Sequence, residues 1–137
     1  MNQPIGSREA QERGGDIVLT RVYASDDGET HFGDAAMKTD RVSVAPDAPG
    51  GTMASPTPVS ELIFVGLDPG YARDWHPAPR RQFVVVSAGE LEITVSDGET
   101  RRFGPGRVFL AEDTVGKGHR TRTVGDGGCV VVWVACQ

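Results

Sequence analysis

Residues 70–91, "GYARDWHPAPRRQFVVVSAGEL", decide the fold. From Gln82 onward the run is rich in β-branched and aromatic residues and closes on a glycine, which reads as a strand bounded by a turn. Side chains alternate across a strand, so His76, Ala78, Arg80, Gln82, Val84 and Val86 are expected on one face. Prolines at 77 and 79 make the first half irregular, and the parity is firmer after them. If this face turns inward, His76 and Gln82 line the interior of a barrel near one end.

The flanking sequence repeats the pattern. "SELIFVGL", "ELEITVSDG", "TRRF", "RVFLAED", "HRTRTV" and "CVVVWVA" are short β-type runs about ten residues apart, separated by "DPG", "DGE", "GPG" and "GDGG". That spacing predicts an all-β, antiparallel sandwich or barrel. Before it, "DIVLTRVYA" (16–24) predicts a strand and "THFGDAAMKTDRVSV" (30–44) one or two short edge strands. "APDAPGGTMASPTP" (45–58) reads as a Pro/Gly/Ser loop that covers something or moves. Residues 1–15 are polar and aperiodic and read as an N-terminal arm, leaving 16–137 as one domain.

The totals narrow the function. With 14 basic and 19 acidic residues among 137, the net charge is −5, which argues against a nucleic-acid partner because phosphate needs a basic face. No apolar run approaches the ~20 residues of a membrane span, and residues 1–15 lack the apolar core of a signal peptide. A cytoplasmic protein is expected. Cys129 and Cys136 share the final strand, which holds them roughly 23 Å apart, far beyond disulfide reach. They read as reduced strand residues, and with no cysteine or histidine cluster beside them they make a poor zinc site.

The chain resembles the cupin superfamily. Its first motif, G-x5-H-x-H-x3,4-E-x6-G, is matched in every spacing by Gly70, His76, Ala78, Gln82 and Gly89, with Ala78 in place of the second histidine and Gln82 in place of the glutamate. The second, G-x5-P-x-G-x2-H-x3-N, is followed by Gly106, Thr114, Gly116, His119 and Thr123, with two extra residues after Gly106. The sixteen residues between the motifs, 90–105, match the spacing of small bacterial cupins. "DDGETHFGD" (26–34) also resembles the opening of such proteins. The resemblance implies a single-domain cupin β-barrel (jelly-roll), commonly paired as a homodimer through sheet edges and N-terminal arms. The arm at 1–15 and the strand at 16–24 are where swapping is expected.

In cupins the metal is held by both histidines and the glutamate of the first motif and the histidine of the second. Only His76 and His119 carry over, with Gln82 as a neutral third donor and Asp74 within reach only if the chain bends at Pro77. Such a set has no carboxylate to offset a divalent charge. No resident metal is expected; the alternative is Fe, Mn, Ni or Zn on His76, Gln82 and His119. Without metal, His76 and His119 are two imidazoles able to serve as acid and base near neutral pH. Gln82 can position a carbonyl or hydroxyl, and Arg80, if it faces inward, a carboxylate or enolate. Arg81 is expected in solvent.

His31 is either an edge-strand residue or, if its strand crosses the barrel mouth, a third imidazole in the pocket. Glu112 and Asp113 are adjacent and therefore point to opposite faces, which favours a turn or surface ion pair over a paired-carboxylate site. Trp75 has the parity of an outside residue. The expected function is a small-molecule enzyme of isomerase, cyclase, dehydratase or lyase type, with secondary-metabolite tailoring as a setting. A metal-dependent dioxygenase or lyase and a non-catalytic small-ligand binder are the alternatives.

Overall fold

The computed structural model describes residues 15–137, so the proposed arm lies, apart from Gly15, outside the described residues. All regular structure among these residues is extended: β1 (Ile17–Ala24), β2 (Thr30–Met37), β3 (Thr39–Val42), β4 (Gly51–Ala54), β5 (Val59–Leu67), β6 (Ala72–His76), β7 (Gln82–Gly89), β8 (Leu91–Val95), β9 (Thr100–Phe103), β10 (Val108–Ala111), β11 (His119–Thr123) and β12 (Cys129–Cys136). A six-stranded sheet runs β2-β1-β10-β7-β12-β5, and a four-stranded sheet runs β6-β11-β8-β9. This is the jelly-roll that the cupin resemblance implied, built from the strands that the spacing predicted. No helix among the described residues is long and apolar enough to cross a membrane.

Alternation builds the core between the two sheets. On β7, Gln82, Val84 and Val86 are buried while Phe83 and Val85 are only partly so, and on β8 Leu91, Ile93 and Val95 point in while Glu92 and Thr94 point out. These residues meet Val22, Phe103, Phe109 and Val131 in one apolar cluster. Burying each aliphatic or aromatic side chain is worth about 1.5–3 kcal/mol, and Phe103 and Phe109 stack with centroids 4.7 Å apart. β7 and β12 approach so closely at Gly89 that an added Cβ would stand 2.2 Å from the Gly128 carbonyl oxygen.

One expectation changes. The 45–58 segment is not wholly a loop, because β4 pairs with β3 in a two-stranded ribbon, Val42 opposite Gly51. Its high Pro and Gly content hides a strand of four residues. The strand at 16–24 is an inner one in its sheet. β1 lies between β2, antiparallel, and β10, parallel, so both of its backbone edges are paired.

Candidate functional site

The quoted stretch is two strands in two different sheets. β6 ends at His76, the chain bends through 77–81, and β7 begins at Gln82 on the opposite wall. Ala78 and Gln82 are buried and His76 is partly buried, as the parity required. Arg80 breaks the parity. It is exposed in the bend and lies 3.5 Å from Glu61, so it is not a pocket residue. The double-proline bend frees the chain from strand geometry, and alternation stops applying there.

His76 and His119 are direct cross-strand partners on β6 and β11. Their rings face each other with centroids 4.5 Å apart. Gly118 makes this closeness possible. It sits at φ 78°, and a Cβ there would stand 2.1 Å from the His76 carbonyl carbon. Each imidazole is oriented through Nδ1. In His76 it donates to the Asp74 carbonyl oxygen at 2.7 Å. In His119 it meets Asp113 Oδ2 at 2.6 Å. Nε2 is thereby left, on both rings, as the nitrogen available for chemistry.

Asp113 was not singled out as a site residue in the sequence. It follows β10, has no solvent exposure, and its Oδ1 has no hydrogen-bond partner among the described residues. Its backbone carbonyl accepts from Ala78 N–H, which ties it to the bend beside His76. Glu112 does point the other way, to Arg21 and Arg81, each at 2.7 Å. The opposite-face argument was therefore right about the pair, yet the inward member supports the site. The signal was the apolar run "VFLA" (108–111), which ends two residues before Asp113.

The rings line a cavity of about 70 Å³. Gln82, Thr121, Tyr71 and Arg73 supply its other polar groups, and Val84, Ile93, Phe109, Val131 and Trp133 are among its apolar walls. Burial pushes the His76 imidazole below its ordinary value, and the neighbouring charges of His119 and Arg73 add to this against the Asp74 hydrogen bond. His31 does not reach the cavity. Its ring is held between Ser25 Oγ and Asp97 Oδ2, both at 2.9 Å, and staples β2 to the β8–β9 turn. Asp74 contributes only its carbonyl, since its side chain borders a separate groove of about 440 Å³ on the outer face of the four-stranded sheet. Trp75 is 43% exposed on that outside, beneath Arg120.

The donor set does not fit the metal centre of the complete motif. No group of three or more histidine, cysteine or acidic side chains among the described residues could hold an ion. The two imidazoles are joined only by the amide of Gln82, and the one nearby carboxylate, Asp113, is engaged behind His119.

Similar solved structures include KdgF from Halomonas sp. (23% identity, 61% of this chain and 74% of that one, TM-score 0.46). A Cupin 2 conserved barrel domain protein from Salinispora arenicola is 20% identical over 74% of this chain and 76% of that one, with a TM-score of 0.45. The Cnp3 cupin domain of Schizosaccharomyces pombe is 12% identical over 89% and 84%, with a TM-score of 0.44. No curated protein matches the sequence. The family model described as "Cupin domain" matches residues 49–135, from just before β4 to within β12, and the chain belongs to that family.

Proposed function

We propose that this cupin is a small-molecule enzyme that moves a proton within its substrate, in an isomerisation, cyclisation, dehydration or related lyase step. The observation that supports it is the facing pair His76–His119 with a buried carboxylate behind one member. Asp113 fixes the His119 ring and stabilises positive charge when that ring takes up a proton. His76, pushed toward its neutral form by burial, offers Nε2 as a base. One ring removes a proton while the other delivers one, and Gln82 holds the substrate oxygen between them. No step needs a metal. Tailoring of a secondary metabolite is a setting in keeping with an isolated single-domain cupin. The free cysteines Cys129 and Cys136 support a reducing, cytoplasmic one.

The proposal includes a homodimer joined along β5. That strand is the outer member of its sheet, hydrogen-bonded only to β12 among the described residues, and it exposes Leu62 and Phe64. A long apolar edge is a template for a second copy.

The test is a metabolite-consumption screen by mass spectrometry, with the parent protein and a His76→Gln/His119→Gln variant side by side. The expected result is a metabolite consumed by the parent alone, its product equal in mass or lighter by one water. A small molecule bound and recovered unchanged would make the protein a binding module. Turnover lost on chelation and restored by Fe, Mn, Ni or Zn would overturn the metal-free mechanism in favour of a metal-dependent cupin.

A further inference from the structure

The cavity has an uneven charge. Its lining holds one full positive charge, Arg73, and two imidazoles, with no carboxylate side chain among the lining residues. Asp113 stands behind His119 rather than in the wall. This is unexpected in a chain of net charge −5. The neighbouring arginines are neutralised: Arg80 by Glu61, Arg81 by Glu112, and Arg122 by Glu92. Arg120 lies over the Trp75 ring on the outside. Arg73, by contrast, forms no ion pair among the described residues while bordering both the cavity and the outer groove. A guanidinium left without an acid at the rim of a mostly apolar cavity is suited to bidentate capture of a planar anion.

We infer that the cavity takes a small carboxylic acid, its carboxylate held by Arg73 at the mouth and its acyl end beside His76 and His119. The volume, about 70 Å³, is a small fraction of a drug-sized pocket of roughly 300–1,000 Å³, and suits an acyl end of a few heavy atoms. Arg73 is opposite Thr121 on β11, and His76 is opposite His119 further along the same strand pair. The anchor and the proton-transfer pair therefore share one wall. Arg73 takes the part the sequence reading gave to Arg80.

This inference rests on the acid–base reading for its orientation, but binding tests it without any turnover. The probes are crotonate and its neutral isostere crotonamide. They are titrated into the protein while the ring-proton resonances of His76 and His119 are followed by NMR. Crotonate is expected to bind at least tenfold more tightly than crotonamide. Arg73→Gln is expected to abolish that preference and Arg73→Lys to keep part of it, with unchanged melting because the side chain is exposed. Equal binding of the two probes, equal crotonate affinity in parent and Arg73→Gln, or no crotonate binding at millimolar concentration would each overturn the inference. The two ideas fail separately: a crotonate preference that depends on Arg73 in a protein that turns over no metabolite would overturn the acid–base reading alone, and turnover in a protein that binds the two probes equally would overturn this inference alone.

Discussion

Asp113 is held without solvent contact on a single imidazole nitrogen, with its second oxygen unpaired among the described residues. Unsatisfied buried groups are costly and uncommon, and here the carboxylate orients the His119 ring to which the proposal assigns proton transfer. Replacing it with alanine strands His119 Nδ1 and should cost about 1–3 kcal/mol, measured by denaturant unfolding. Asp113→Asn keeps an acceptor and should cost less. Both should reduce turnover by about 10²–10⁴-fold, and only the carboxylate should restore it. His76 makes a second prediction. Its folded value lies below the ordinary one near 6.5, so the unfolded chain binds the proton more readily. Its share of stability is complete above about pH 6.5 and is lost as pH falls through the folded value. Unfolding of His76→Gln should therefore show a shallower loss of stability on acidification than the parent, and an equal slope would refute the assignment. His76, Gln82 and His119 were legible in the spacing of the motif glycines. Asp113 was not, because its role depends on a contact across a connection whose path alternation cannot supply.

The elements explain which spacings could be trusted. Parity held along β7 and β8, where both faces are defined by a sheet, and failed at Arg80, where two prolines interrupt the ladder. Runs such as those of β7, β8, β9 and β11 were legible because a turn glycine follows each within a few residues, whereas β4 was concealed in a Pro/Gly-rich stretch and pairs, among the described residues, only with β3. The most crowded point of the site is also one of spacing alone in the motif. At Gly118, Gly118→Ala adds a Cβ that would collide with the His76 backbone at a φ disfavoured for alanine. It should cost more than about 3 kcal/mol, or part β6 from β11 in a protein that still folds. A thermal melt together with the His76 and His119 ring resonances distinguishes the two results. A variant with parental melting and unchanged resonances would show that the close approach is dispensable.

At the scale of the whole molecule, the six-stranded sheet has one blunted side and, among the described residues, one open one. β2 is tied to the β8–β9 turn through His31, Thr30 and Ser96. β5 offers its outer edge along nine residues, with Phe64 74% exposed. Phe64→Glu with Leu62→Lys should convert the expected dimer to a monomer in light scattering, without loss of the cavity, and a parental mass in that variant would place the contact elsewhere. The parallel pairing of β1 with β10, Thr20 beside Phe109, bears on how the protein is made. During synthesis at about 5–20 residues per second, β1 leaves the ribosome seconds before the strand that must lie beside it. Until then its inner edge is unprotected, and β11, which carries His119, emerges later still. His76 and His119 therefore meet only after β11 has been translated, so a nascent chain stalled before it should present an uncovered apolar strand to chaperones rather than a formed cavity.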